Sequence, residues 1–340
     1  MFAPLRDGIE WSRKATPRRL RNAAALWASY QRAKRTRDPR IGGMPFSISF
    51  EPTTACNLRC PECPSGLRSF TRPTGNLKAD LFEHVIGELA PDLWALTFYF
   101  QGEPYINPGF LDMVSIAHRH GLYTNTSTNA HFLTEEKAEA TVRSGLSRLI
   151  ISLDGTDQDT YSAYRREGEL AKVIEGAERI VKWKERLKSL TPHVVFQFLV
   201  VRPNEHQIPD ARALAKRVGV DALWLKTAQV YDPADDHPLI PTQQKYSRYE
   251  RTAAGVWQVK NRMRDECWKM WHSCVVTWDG RVVPCCFDKD AHHVLGDLRT
   301  HSFRDLWHGS AYTEFRRALL HSRSDLEMCR NCSEGSPVWA

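Results

Sequence analysis

The chain has 340 residues, of which 42% are hydrophobic and 26% are charged, so its composition is that of an ordinary globular protein with one large domain or two. No apolar run approaches the ~18 residues of a membrane-spanning helix. The first residues lack the apolar core of a secretory signal. We therefore expect a cytoplasmic protein, and the net charge of +7 leaves contact with an anionic surface as an alternative.

The positive charge is concentrated in a basic N-terminal extension, residues 1–44. Residues 1–40 contain eleven Lys and Arg against three Asp and Glu, and these surround a short apolar patch that includes Leu20, Leu26, Trp27 and Tyr30. One interpretation is an amphipathic helix, peripheral to an anionic membrane surface or bound to an acidic partner. The other is a solvated, frayed extension. No nucleic acid is expected, because no basic and aromatic stripe continues into the rest of the chain.

From residue 47 onward, short apolar strands alternate with amphipathic helices, which predicts parallel strands joined by right-handed crossovers. The predicted strands are 47–50, 96–100, 122–126, 149–153, 194–199 and 222–225. The predicted helices are 78–90, 110–118, 135–144, 157–187 and 211–217. The fold class is therefore α/β: a partial (β/α)6 TIM-like barrel over residues 45–228, followed by a small cysteine-rich α+β module. Functional residues of such barrels lie at the carboxyl ends of the strands.

Three cysteines directly follow the first predicted strand. Cys56, Cys60 and Cys63 have the spacing C-x3-C-x2-C. Three thiolates on a 4Fe–4S cluster leave one iron with an open coordination position for a small molecule. Zinc prefers four ligands, usually as two separated pairs, and disulfides require an oxidising compartment. The spacing therefore predicts a 4Fe–4S cluster at the barrel mouth.

This cysteine loop resembles that of the radical S-adenosylmethionine (radical SAM) enzymes, and the resemblance covers residues 45–335. It implies that the open iron binds the amino and carboxylate groups of S-adenosylmethionine (SAM). An electron from an external donor such as flavodoxin or ferredoxin then releases a 5′-deoxyadenosyl radical. One departure is Glu62, because the family often has an aromatic residue just before its last cysteine.

Further residues at the predicted strand ends resemble the SAM-binding positions of that family. The segment Gln101-Gly102-Glu103-Pro104 resembles its Gly-Gly-Glu-Pro motif, which implies contact with the methionine ammonium. Other residues resemble the positions that hold the ribose hydroxyls and the methionine carboxylate: Ser127, Asn129, Ser152, Asp154 and Arg165. Arg165 is chosen over its neighbour Arg166. The alternative is that these short polar residues only form turns and loop caps.

The C-terminal part is predicted as a linker or substrate-covering segment, residues 229–262, and an auxiliary module, residues 263–340. A hairpin with an Asp279-Gly280 turn is expected in the module. Its cysteine pattern resembles the SPASM or twitch modules of some radical SAM enzymes. That resemblance implies one auxiliary 4Fe–4S cluster with four ligands: Cys267, Cys285, Cys329 and Cys332. Zinc also suits four thiolates. The remaining Cys274 and Cys286 either replace one of these ligands or are packed thiols.

The expected activity is that of a radical SAM oxidoreductase. It would abstract a hydrogen atom from an unactivated C–H bond of a sugar-like small molecule or a peptide, with net oxidation and electron transfer to the auxiliary cluster. Weak candidates for the base are Asp235, His237 and Tyr246. Two alternatives stay open. One is a redox-neutral epimerase with Cys274 or Cys286 as hydrogen-atom donor, and the other is a zinc-stabilised binding protein without catalytic activity.

Overall fold

The structure is a computed structural model that describes residues 3–234, 237–261 and 263–333. Its centre is a parallel sheet in which each strand pairs with the next along the chain. The strands are β1 Ser47–Phe50, β2 Ala95–Phe98, β3 Tyr123–Thr128, β4 Arg148–Ser152, β5 His193–Val200 and β6 Ala222–Thr227. The predicted partial (β/α)6 barrel is confirmed.

Helices connect these strands and cover the outside of the sheet. They are α1 Ala3–Arg13, α2 Pro17–Thr36, α3 Pro64–Leu67, α4 Ala79–Leu89, α5 Phe110–Arg119, α6 Glu135–Arg143, α7 Gln158–Tyr164, α8 Leu170–Arg186 and α9 Ile208–Val218. The main core lies between strands and helices, where Phe50 and Phe98 pack against Phe82 of α4 with ring centroids 5.0 and 5.3 Å apart. This core fixes the carboxyl ends of the strands at one edge of the sheet.

The C-terminal module continues the sheet of the barrel. Strand β9 (Ser273–Val276) pairs in parallel with β1, so that Phe50 lies beside Val276. The predicted hairpin is confirmed: β10 (Arg281–Val283) runs antiparallel to β9, and Gly280 has a φ of 86° in the turn. The module is completed by α10 Lys269–His272, β11 Gly296–Asp297, α11 Phe303–His308, α12 Ser310–His321 and α13 Glu327–Arg330.

The N-terminal helices pack against the amino-terminal end of the barrel. Asp7 accepts a hydrogen bond from Tyr123 Oη at 2.6 Å and pairs with Arg148, at the starts of β3 and β4. Arg19 donates to the carbonyl oxygens of Ala90, His120 and Gly121 at 2.8–3.2 Å. The extension is therefore neither solvated nor frayed over its described residues.

The apolar patch of α2 is only partly covered by the protein. Leu26 and Tyr30 are buried, and one edge of Trp27 packs against Trp268 with ring centroids 5.3 Å apart. Leu20 and Trp27 stay more than half exposed, so contact of this helix with an anionic surface stays a prediction. No helix in the described ranges is long and apolar enough to cross a membrane.

Two further differences concern single elements. The helix predicted over residues 157–187 is wrong: α7 ends at Tyr164 and α8 begins at Leu170, because Glu167 has a φ of 64° and interrupts the helix. In the segment 229–262, a short antiparallel pair, β7 (Tyr249–Arg251) and β8 (Trp257–Val259), was not predicted. Its strands have three residues each, too few for a periodic pattern.

Candidate metal and cofactor site at the barrel mouth

A cavity opens at the carboxyl ends of the barrel strands, and Cys56, Cys60 and Cys63 all line it. Most of the residues predicted for SAM binding line the same cavity: Gln101, Gly102, Glu103, Ser127, Asn129, Ser152 and Arg165. Pro104 and Asp154 do not. The sequence analysis missed six lining residues: Leu58, Gly66, Tyr99, Phe100, Thr128 and Gln197.

Backbone hydrogen bonds shape the cysteine loop. Cys63 N donates to Cys60 O at 3.3 Å, and Cys63 O accepts from Leu67 N at 2.8 Å, so the last cysteine leads directly into α3. Gly66 passes so close to Cys60 that an added Cβ would lie 2.6 Å from its backbone nitrogen and oxygen. This close approach needs a glycine and turns the loop back on itself.

The thiols line the walls of the cavity without converging on one point. In the described part of the chain, no three His, Cys, Asp or Glu side chains are arranged to hold a single metal ion. Burial raises the pKa of the Cys56 thiol to about 12 and that of Cys60 above its usual range. Such buried thiols release their protons when metal binds. Three thiols on one cavity wall leave a fourth ligand position open, which suits a 4Fe–4S cluster better than a structural zinc ion with its four protein ligands.

Gly102 lies just after the end of β2 and connects it, through a hydrogen bond, to the segment that follows the cysteines. Its φ is 72°, and its amide donates to Ser65 Oγ at 2.9 Å. A Cβ at this position would lie 2.3 Å from Thr53 O, a backbone atom that cannot rotate away. Only glycine therefore allows the chain to pass between the loop and the cavity.

Replacement of Gly102 by alanine is expected to displace the segment 101–103 and to weaken SAM binding by at least about tenfold, with a loss of about 1–3 kcal/mol of stability. Isothermal titration with SAM and chemical denaturation of the reconstituted protein measure the two effects. Gly87→Ala is the matched control. This glycine lies inside α4 with no atom within 4 Å of an added Cβ, so the change should stabilise by about 0.5–1 kcal/mol. Unchanged SAM affinity in Gly102→Ala would contradict the expectation.

Glu103 is fully engaged by the protein. Its carboxylate accepts hydrogen bonds from Thr128 Oγ1 and Asn129 N, both at 2.7 Å, and burial raises its pKa to about 7. The side chain therefore fixes the end of β3 next to the cavity. Asn129 in turn donates to Asn57 Oδ1 at 2.8 Å, which connects that strand end to the cysteine loop.

Arg165 enters the cavity because the chain leaves the helical path after α7. Its Nε donates to Asp154 Oδ2 at 2.5 Å, and its Nη1 lies 3.6 Å from Cys60 Sγ. Asp154 Oδ1 accepts from Leu199 N at 2.7 Å. Asp154 is thus a positioning residue for Arg165. Arg166 is exposed, so the structure places the arginine that the sequence analysis preferred at the cavity.

Of the candidates for a catalytic base, the two that the structure describes, His237 and Tyr246, do not line this cavity. Asp235 lies outside the described residues. His237 Nε2 is 3.6 Å from Glu62 Oε1, and Glu62 Oε2 also accepts from Tyr231 N at 2.9 Å. Glu62 therefore ties the segment 229–262 to the cysteine loop. Tyr246 packs against the main core, beneath the ammonium of Lys245.

The four cysteines of the predicted auxiliary site line a second, small cavity: Cys267, Cys285, Cys329 and Cys332. Its wall is mostly apolar, with two cations, Lys269 and Arg323. Arg323 Nη2 lies 3.3 Å from Cys332 Sγ. Four thiols around one enclosed space, with positive charge beside them, fit a closed iron–sulfur cluster.

The two remaining cysteines differ in their surroundings. Cys274 is 1% exposed on β9, contacts Tyr312 and lines neither cavity. This position favours a packed thiol for Cys274, and its roles as a replacement ligand or hydrogen-atom donor stay predictions. Cys286 Sγ lies 3.5 Å from Lys269 Nζ, which lines the second cavity, and Cys286 packs against a small apolar cluster that includes Phe100 of the first cavity. Cys286 is therefore connected to both cavities through its neighbours.

Fold and site together define a partial-barrel protein with two cysteine-lined cavities. Comparison with known proteins agrees. Residues 50–207 match the family model of the radical SAM superfamily, and residues 267–333 match that of the SPASM iron–sulfur cluster-binding domain. The chain belongs to the radical SAM superfamily and carries a SPASM-type domain. The family binds a 4Fe–4S cluster and SAM, and the SPASM domain adds auxiliary iron–sulfur binding.

Individual relatives share different parts of the chain. The chain is 27% identical over 317 residues to the cofactor-modifying protein of tungsten-containing aldehyde ferredoxin oxidoreductase from Pyrococcus furiosus, covering 84% of this chain and 86% of the relative. It is 30% identical over 194 residues to the PqqA peptide cyclase of Bradyrhizobium diazoefficiens, covering 56% of this chain and 48% of the relative. Among solved structures, Streptococcus suis SuiB bound to S-adenosylmethionine has a TM-score of 0.61 at 14% identity, covering 87% of this chain and 72% of SuiB. At that identity, the likeness to SuiB concerns the fold.

Proposed function

We propose that this protein is a radical SAM enzyme that abstracts a hydrogen atom from a peptide substrate, with net oxidation by electron transfer to an auxiliary cluster. The observation that carries the proposal is the arrangement of two cysteine-lined cavities on one continuous sheet, one at the barrel mouth and one in the module that pairs with β1. The relatives named as PqqA peptide cyclases support a peptide as substrate.

Different residues of the first cavity would bind the cluster and the different parts of SAM. Cys56, Cys60 and Cys63 would hold the cluster, and the open backbone around Gly102 would receive the methionine end of SAM. Arg165, oriented by Asp154, would bind a carboxylate through its free guanidinium edge. Ser127 and Ser152 offer hydroxyls for the ribose. When bound, the cluster and SAM supply the radical that abstracts hydrogen.

The residues of the second cavity would hold one closed auxiliary cluster. A closed 4Fe–4S cluster takes one thiolate on each of its four irons. The thiols of this cavity would fill all four positions: Cys267, Cys285, Cys329 and Cys332. Lys269 and Arg323 would offset the negative charge of the cluster and favour its reduced state. The substrate would lie between the two cavities, beneath the segment 229–262 that Glu62 attaches to the cysteine loop.

The test is anaerobic turnover of the reconstituted protein with SAM, a reductant and candidate peptides that carry deuterium. Deuterium recovered in 5′-deoxyadenosine, together with a product lacking two hydrogens, would support the proposal. A product of unchanged mass that gains solvent hydrogen, and its loss in Cys286→Ala, would identify the epimerase instead. A colourless protein that contains only zinc would remove radical chemistry altogether.

A further inference from the structure

Positive side chains gather between the two cysteine cavities. Lys226 lies at the carboxyl end of β6, and Arg248 Nη2 donates to the carbonyl oxygen of the next residue, Thr227, at 3.4 Å. Lys289 Nζ lies 3.2 Å from Tyr231 Oη and 4.6 Å from the centre of that ring. The positive charge of Arg248 is close enough to both lysines to lower their pKa. We refer to Lys226, Arg248 and Lys289 as the mouth cations.

The protein leaves these charges without an acidic partner. Among the described residues, no carboxylate lies within ion-pair distance of Lys226, Arg248 or Lys289. The two carboxylates whose charge reaches the lysines are used elsewhere: Asp154 by Arg165, and Glu62 by His237 and the Tyr231 amide. The thiols of Cys63 and Cys286 also act on the lysines, but Cys63 is assigned to the mouth cluster and Cys286 Sγ lies 3.5 Å from Lys269 Nζ.

Arg248 is the most enclosed of the three. It is 9% exposed, and its Nε is buried with no hydrogen-bond partner in the described part of the chain. Burial lowers the pKa of Arg248 and of the half-buried Lys289, whereas Lys226 is exposed. Enclosing the Arg248 guanidinium without a counter-charge is unfavourable, so this arrangement indicates an anionic ligand that neutralises it.

The auxiliary cluster does not account for the mouth cations. Lys269 and Arg323 already line its cavity, and none of the three mouth cations does. Arg248 is near enough to Cys332 for the two charges to interact, which places it between the auxiliary site and the barrel mouth. Lys226 lies at the carboxyl end of the last barrel strand, the edge at which substrates of such barrels bind.

We propose that the mouth cations bind the carboxylates of an acidic peptide segment next to the residue from which hydrogen is abstracted. This inference rests on the proposed function for the peptide nature of the substrate, and it adds the charge that the substrate must carry. Clustered positive groups bind carboxylates through charge-assisted hydrogen bonds and direct them along the surface toward the reaction site.

The test uses the reconstituted holoprotein under anaerobic conditions and two fluorescein-labelled peptides. One has the composition Gly-Glu-Glu-Tyr-Glu-Glu-Gly, and the other has glutamine at each glutamate. Fluorescence anisotropy should show about tenfold tighter binding of the acidic peptide. The double variant Lys226→Gln/Lys289→Gln should remove that preference while keeping the iron content of the parent protein.

The matched control is Lys216→Gln/Arg217→Gln, which removes the same charge from exposed positions on α9. It should retain the preference for the acidic peptide. Equal affinity for the two peptides, or an equal loss in both double variants, would overturn the inference. Displacement of the acidic peptide by low concentrations of glucose 6-phosphate, with no preference for glutamate, would also overturn it in favour of a phosphorylated small molecule.

The binding readout separates this inference from the proposed function. A protein that prefers the acidic peptide but never cleaves SAM would contradict the proposed function alone. A protein that cleaves SAM and oxidises peptides with no preference for acidic residues would contradict the inference alone.

Discussion

Simultaneous replacement of Cys56, Cys60 and Cys63 by alanine is expected to abolish formation of 5′-deoxyadenosine from SAM. The three thiols are the only cysteines among the described residues that line the mouth cavity, so no other thiol can replace them. The variant should still carry the auxiliary cluster, because the four cysteines of the second cavity are unchanged. Iron analysis and electron paramagnetic resonance of the reduced protein measure the loss of one cluster signal and the survival of the other.

Cys274→Ala is the matched control, because it also removes a thiol but at a position outside both cavities. Cys274 lies on β9 outside both cavities, so the variant should keep its iron and its SAM cleavage and lose only about 1 kcal/mol of packing stability. Full SAM cleavage in the triple variant would refute the assignment of the mouth cavity. Loss of iron in Cys274→Ala would refute the ligand set of the second cavity.

Replacement of Arg72 by methionine is expected to destabilise the protein by about 3–5 kcal/mol. Arg72 and Glu51 form a buried pair with Nη–Oε distances of 2.5 and 2.8 Å, at the point where β1 leads into the cysteine loop. Removing the guanidinium leaves the Glu51 carboxylate buried and unpaired apart from one hydrogen bond, from Trp278 N at 3.2 Å. Chemical denaturation of the reconstituted proteins measures the difference.

The loss of unfolding free energy in the Arg72→Met variant, relative to the parent protein, should depend on pH. Burial raises the pKa of Glu51 even in the pair, and loss of Arg72 raises it further. An acid with a raised folded-state pKa is most destabilising above that pKa, and the cost is relieved as pH falls toward its unfolded value. The deficit should therefore shrink on acidification from pH 8 to 5. The double variant Glu51→Gln/Arg72→Met should recover most of the stability at pH 8, and a deficit unaffected by pH would contradict this account.

The position of the cluster-binding loop could be predicted because its ligands are close together in the sequence. Cys56, Cys60 and Cys63 lie within eight residues of one another and directly follow a predicted strand, so spacing and fold indicated the same edge of the barrel. The strand ends that carry Ser127, Asn129 and Ser152 were found in the same way. All of them line the cavity.

Partners distant in sequence could not be predicted. Asp154 lies at a strand end like the SAM-binding candidates, but its carboxylate is taken up by Arg165 and by the amide of Leu199. The charged N-terminus could not reveal that Asp7 meets Arg148 across the barrel base. A pattern of charges shows that a segment is polar, but it does not show which residue forms the ion pair or hydrogen bond with each charged side chain.

The interruption between α7 and α8 was missed because amphipathic spacing continues through it. Residues 157–187 contain no proline, and the glycine at position 168 is tolerated in many helices. The break depends on the left-handed backbone at Glu167 and on contacts of Gly168 with Tyr161, which no periodic pattern encodes. It is also the feature that turns Arg165 toward the cavity.

The pairing of β9 with β1 has a consequence for shortened forms of the protein. A chain cut after residue 262 would lose β9 and leave one edge of β1 with unsatisfied amide and carbonyl groups, immediately before the cysteines that follow it. Such a fragment should self-associate through that bare edge and not survive as an independent barrel. We therefore expect the barrel and the C-terminal module to fold together, with β9 supporting the strand that leads into the cysteine loop.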